Sequence, residues 1–158
     1  MNANELKVHL NNNDICSTSE IGHVTLPLLM LSQRLFSQIG NLLSVKYNLS
    51  NSELDVLASL HSAKDENHTL TPTRLYERLF FSSGGMTKVL KKLETKKFIN
   101  RITNKDDKRS KMVQLTKDGK IILEESLPDV IELEEAIFSD LDSQDRKHLS
   151  SLLFKVLD

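Results

Sequence analysis

One part of this 158-residue chain exchanges helical spacing for the pattern of paired strands. "FINRIT" (Phe98–Thr103) and "KMVQLT" (Lys111–Thr116) are short, rich in β-branched and apolar residues, and separated by the polar turn "NKDDKRS". That is the pattern of a β-hairpin. From Leu26 onward, the apolar residues on either side of it recur at intervals of three and four, as on one face of a helix. The chain therefore reads as helix, helix, helix, helix, hairpin, long helix, helix, a mainly α fold with a small β-hairpin.

The helix boundaries carry their own chemistry. From Leu26 to Tyr47 the stripe Leu28, Leu31, Leu35, Ile39 and Leu42 marks one helix with Pro27 in its first turn. Leu29, Met30, Phe36 and Leu43 widen that stripe, so the helix should be covered by more than one neighbour. Ser50 and Glu53 stand at capping-box spacing ahead of a short helix that should stop near His61, and Thr71-Pro72 supplies the cap and first residue of the next. Thr116 caps a long helix predicted to reach Leu141 and to kink at Pro128, where one intrahelical hydrogen bond is lost. Asp142 and Asp145 start the last helix, with Leu149, Leu152, Leu153 and Val156 on one side. Residues Met1–Thr25 are polar and Asn-rich and read as an irregular arm or a short, loosely held helix.

With 39% apolar and 27% charged residues the chain has enough material for one core. No stretch is apolar enough to span a membrane and the N-terminus lacks signal-peptide regions, so a cytoplasmic protein is expected. The single cysteine, Cys16, excludes an internal disulfide. Net charge is −1, but it is unevenly spread: Arg74 to Lys111 holds twelve basic and four acidic residues, net +8, leaving −9 elsewhere. A basic face on an acidic scaffold suits a polyanion, because neutralised phosphates release counterions.

"SSGGMTKVLKKLETKKF" (Ser82–Phe98) concentrates that charge. On a helix, Met86, Val89, Leu90 and Leu93 share one sector, while Gly84, Lys88, Lys91 and Thr95 lie opposite with Lys92 at the edge. The apolar sector docks the helix. The other face is cationic, and the small residues at its start allow close approach to a phosphate backbone. Ser82 or Ser83 provides the cap and a candidate phosphate contact. A short helix, a turn, a basic helix and a hairpin tipped by Lys105, Lys108 and Arg109 follow the order of a winged helix-turn-helix. In that fold the second helix reads the major groove and the wing reaches the backbone or minor groove.

Residues from about Leu26 to Leu157 resemble MarR-type (multiple-antibiotic-resistance) transcriptional regulators. Leu93-Glu94, Arg101, Asp107-Lys108-Arg109, Val113, Leu115-Thr116 and Gly119 match that family's linked motifs in register. The resemblance implies a homodimer whose terminal helices intertwine, binding a palindromic double-stranded DNA operator and repressing until a small molecule or oxidant alters the dimer. It implies that Asp107 orients Arg109 at the wing tip, with Ser82, Ser83, Thr87, Lys88 and Lys91 on or near the recognition helix; Gly84 and Lys92 join these as candidate DNA contacts from their place on the cationic face. The organisation expected is an arm at 1–25, a winged helix-turn-helix lobe at 49–117, and dimerisation helices at 26–48 and 118–158. One departure stands out: the family commonly has Gly where this chain has Lys97. Lysine there must either adopt a positive φ or end the helix differently.

Cys16 invites a redox reading, but "NDICSTSE" offers no cation to favour the thiolate. The five histidines show no zinc-ligand spacing, and there is no nucleophile with a base, phosphate loop or carboxylate pair. No enzyme, cofactor or metal is expected. A winged helix used for protein contacts or non-specific nucleic-acid binding is the alternative, and salt dependence of DNA affinity separates the two.

Overall fold

In the computed structural model, residues 3–12, 21–63, 68–79, 83–103 and 111–157 are described. Their helices are α1 (Ala3–Asn12), α2 (Gly22–Tyr47), α3 (Asn51–His61), α4 (Pro72–Leu79), α5 (Ser83–Thr95), α6 (Lys117–Ile137) and α7 (Ser143–Leu157). The strands are β1 (Thr69–Leu70), β2 (Ile99–Thr103) and β3 (Lys111–Leu115). The chain divides into two compact units, Met1–Gln38 and Ile39–Asp158. The first holds α1 and most of α2, where Ile21, Val24, Leu28 and Leu29 are exposed.

The second unit owns the core. Leu43, Leu49, Val56, Leu57 and Leu60 pack with Leu75 of α4, Met86, Leu90 and Leu93 of α5, Ile99, Val113 and Leu115 of the sheet, and Leu123 and Val130 of α6. These are the inward positions of the helical and alternating patterns, which is why each element buries a single face. The local caps form where the sequence places them. Glu53 N–H donates to Ser50 Oγ (3.3 Å) while Ser50 N–H donates to Glu53 Oε2 (2.8 Å), a reciprocal capping box. Arg74 N–H donates to Thr71 Oγ1 at 3.2 Å, and Asp142 Oδ1 accepts from Gln144 and Asp145 N–H at 2.7 and 2.8 Å.

The hairpin has the predicted strands, with Ile99 opposite Leu115, Arg101 opposite Val113 and Thr103 opposite Lys111. The sheet also has a third member that periodicity did not reveal. β1 lies antiparallel on the other edge of β3, Thr69 facing Gln114 and Leu70 facing Val113, in the order β1-β3-β2. Two residues are too few to show alternation. The strand exists because Leu70 joins the core and β3 would otherwise present an unpaired edge.

Two boundaries differ from expectation. α2 starts at Gly22, a turn before Leu26, so Pro27 lies inside the helix rather than in its first turn. Ile21 C=O starts the ladder by accepting from Val24 and Thr25 N–H at 3.0 and 2.9 Å, and the chain accepts one missing donor at Pro27. α6 passes through Pro128 unbroken but stops at Ile137, four residues short of Leu141. Past the stop, the Arg146 guanidinium donates to Phe138 C=O and Leu141 C=O, both at 3.0 Å, and Leu141 N–H donates to Phe138 C=O at 3.1 Å, so the carbonyls that follow the helix end find partners.

Candidate nucleic-acid interface

α5 divides as its sequence predicts. Met86, Leu90 and Leu93 are buried, Val89 is half-buried, and Thr87, Lys88, Lys91, Lys92 and Thr95 are exposed. Lys88, Lys91 and Lys92 have no carboxylate partner among the described residues. Ser83 and Gly84 belong to the first turn of this helix. Ser82, Lys105, Asp107, Lys108 and Arg109, together with Cys16, lie outside the described residues.

Three devices fix the C-terminal end of α5. At the first, Lys97 adopts φ = 62°, the left-handed conformation that glycine would take without cost. Phe98 N–H donates to Leu93 C=O and Lys97 N–H to Glu94 C=O, both at 3.0 Å, the two bonds of a Schellman motif. Phe98 packs on the core that includes Leu93, the apolar contact that accompanies such a cap. Of the two outcomes open to a lysine here, the chain takes the positive φ.

At the second, Lys96 reaches across to α3. Its Nζ lies 2.7 Å from Glu53 Oε1 and donates to Asn48 C=O at 2.5 Å. The Glu53 side chain is 3% exposed and that of Lys96 24%, so this pair is shielded from water on the carboxylate side. Burial alone would push the Glu53 carboxyl up. Hydrogen bonds from Lys96 and from the Ser50 N–H and hydroxyl outweigh it and hold the carboxyl below its ordinary value.

At the third, Thr116 bridges α5, the sheet and α6. Its hydroxyl donates to Lys97 C=O at 2.8 Å and accepts from Gly119 N–H at 3.0 Å, while its own N–H donates to Phe98 C=O at 3.1 Å. Gly119 is required for that approach. A Cβ at this position would lie 2.1 Å from Phe98 O and 2.9 Å from Leu115 Cδ1. The spacing Leu115-Thr116-x-x-Gly119 is thereby a packing motif that seats α6 against the exit of α5.

Several basic residues of the +8 segment already have partners within the fold. Besides Lys96, Arg101 Nε sits 3.4 Å from Glu94 Oε2, Arg74 Nη1 sits 3.0 Å from Glu77 Oε2, and Arg78 Nη1 donates to Ser59 C=O at 2.9 Å. Charge counting along the sequence does not separate these partnered cations from Lys88, Lys91 and Lys92. It also missed Glu53 as the anchor of Lys96, because 43 residues separate the pair and neither has a local signature beyond the capping box. A second cluster it missed joins α2 to α6. Asp129 pairs with Lys46 and accepts from Tyr47 Oη (2.5 Å), and those hydrogen bonds, Lys46 first, hold its carboxyl below the usual range.

The comparisons with known proteins agree with this geometry. Residues 47–110 match the MarR family model. The multiple antibiotic resistance protein MarR of Salmonella typhimurium is 32% identical over 113 residues, 69% of this chain and 75% of that protein. The organic hydroperoxide resistance transcriptional regulator of Bacillus subtilis is 33% identical over 95 residues, 59% of this chain and 62% of that protein. Among solved structures, a mutant MarR from E. coli complexed with operator DNA superposes with a TM-score of 0.77 at 28% identity, covering 88% of this chain and 96% of that one.

Proposed function

The chain belongs to the MarR family of DNA-binding transcriptional regulators, and from that premise we propose that it is a cytoplasmic homodimeric repressor of a pseudo-palindromic operator, relieved by a small-molecule or oxidant signal. The observation that carries the DNA contact is the face of α5: three lysines without a carboxylate partner among the described residues, on a helix whose other face is buried and whose exit is held at three points. A helix so fixed enters a groove in one orientation, which sequence-specific reading requires. In this reading Thr87, Lys88, Lys91 and Lys92 meet the major groove and its phosphates. Ser82, Ser83 and Gly84 sit at the backbone, and Lys105, Asp107, Lys108 and Arg109 form the wing contact. Half-sites lie roughly one helical turn, ~10 bp, apart, because a two-fold protein matches two-fold DNA.

Uncovered apolar surface supports the dimer. No residue of α7 is buried, although Leu152, Leu153, Phe154, Val156 and Leu157 lie on it, with Phe154 63% and Val156 85% exposed. A groove of about 440 Å³ between α6 and α7, walled by Ile131, Phe138, Leu149, Leu153 and Phe154, continues that surface. Covering side chains of this kind is worth about 1.5–3 kcal/mol each when complete, so a second copy is the partner that this surface suits. Among the described residues no helix is long and apolar enough to cross a membrane.

Selection of bound duplexes from a random-sequence library, then titration of the enriched sequence at two salt concentrations, tests the proposal. An enriched inverted repeat bound by two copies is the expected result. Absence of any enrichment that survives moderate salt would refute it and favour a protein-contact role for the winged helix.

A further inference from the structure

The flank of α5 facing the α2–α3 corner forms a concave cleft of about 550 Å³, within the range of small-ligand sites. Lys88, Lys92 and Lys96 recur at every fourth residue along the lining contributed by α5 and its C-terminal cap, Lys91 joins them, and Ser44 and Asn48 line the cleft from the end of α2. Lysines at this spacing repel one another along a helix. Among the described residues only the last of these, Lys96, is neutralised, by Glu53, and it also donates a hydrogen bond to the Asn48 carbonyl. Lys88, Lys91 and Lys92 have no carboxylate partner among the described residues, and the Ser44 hydroxyl opposite them has no partner there either. The cleft is therefore lined by three lysines without a carboxylate partner among the described residues, a hydroxyl, and an ion pair whose carboxylate is buried.

We infer that this cleft binds a compact anion carrying two or more phosphate or carboxylate groups, and that the anion competes with DNA for Lys88, Lys91 and Lys92. The competition rests on the operator reading above; the binding itself does not. Lysine ammoniums recognise such groups as point charges, so charge density and size decide the ligand more than shape. A duplex meets the exposed Lys88, Lys91 and Lys92 from outside, whereas Ser44 and Asn48 across the cleft are reached only by something small enough to enter. Occupation would answer the charges that the DNA phosphates need, and would release the protein from DNA with no movement of the helix.

The test uses the full chain and pyrophosphate as probe, at ionic strength held constant with chloride. Calorimetric titration without DNA should saturate at one anion per chain. Ser44→Glu places a carboxylate on the wall opposite the lysines at an exposed helical position; it should weaken pyrophosphate at least about tenfold and DNA less than about threefold. In the wild type, the apparent Kd for DNA should rise in proportion to pyrophosphate, and in the variant it should not. No saturable binding, or binding that Ser44→Glu leaves unchanged, would overturn the site. An equal loss of pyrophosphate and DNA affinity would overturn it too, by making the cleft part of the DNA phosphate track. Intact pyrophosphate binding by a protein that binds no DNA would support the site and refute the operator reading.

Discussion

Replacing Lys96 by methionine keeps most of the side-chain volume and removes the ammonium 2.7 Å from Glu53 Oε1. Glu53 stays buried, now answered only by Ser50, whose N–H donates at 2.8 Å and whose hydroxyl donates at 3.0 Å. Breaking a buried pair by deleting one partner costs about 3–5 kcal/mol. Because the Lys96 side chain is 24% exposed and the Ser50 bonds survive, we expect about 2–3 kcal/mol at neutral pH. The pH dependence is the sharper part. In the wild type the Glu53 carboxyl is held below its ordinary value, so its contribution is full above the unfolded value of about 4.3 and is lost as pH falls through the lower folded value. Without Lys96 the burial that pushes the carboxyl up is opposed only by Ser50. The folded variant then holds a proton more tightly than the folded wild type and loses less stability in acid. Urea denaturation followed by circular dichroism from pH 7 to pH 3.5 should show the deficit largest at neutral pH and shrinking below about 4.3. A deficit under about 1 kcal/mol that does not change with pH would mean that the pair is a screened surface contact, and the anchoring of α5 on α3 would be refuted.

Other perturbations probe the remaining contacts. Gly119→Ala should stabilise by about 1 kcal/mol if helix propensity ruled, but a Cβ 2.1 Å from Phe98 O must displace the Thr116 bridge; we expect a net loss of about 2 kcal/mol in urea denaturation, and a gain would refute the seating of α6. Lys97→Gly should be about 1 kcal/mol more stable than Lys97→Ala, since both lose the charge and only glycine relieves φ = 62°. Equal stabilities would show that the turn is not held in solution. Lys88→Ala and Lys91→Ala should each lower the slope of log affinity against log salt by about one unit, and unchanged slopes would remove those lysines from the phosphate contacts. The double change Leu153→Asp and Phe154→Asp should yield monomers by light scattering with helicity retained, and a persistent dimer would place the interface elsewhere.

The sequence announced what local chemistry decides. The capping box of Ser50 and Glu53, the caps at Thr71 and Thr116, the apolar sector of α5 and the two hairpin strands each have a signature within four residues or a repeat of two. What stayed hidden depends on distant partners. β1 is two residues recruited by the edge of β3, the Phe138 carbonyl past the end of α6 is met by Arg146 eight residues on, and Lys96 finds Glu53 only after folding. The wing tip and Ser82 remain sequence expectations, outside the described residues.

Lys97 joins the two kinds of information. The sequence identified a position where glycine would be cheaper, and the fold explains why the chain tolerates lysine there. The left-handed turn points Phe98 back onto the core beside Leu93 and presents the Lys97 carbonyl to Thr116, so one residue closes α5 and joins it to α6. Strain of about 1 kcal/mol is small against the packing and hydrogen bonds that depend on this turn. A cation at the helix C-terminus returns part of it through the dipole. A local rule is thus broken at the exit of the helix proposed to read DNA, where departures from local preference are expected to coincide with function.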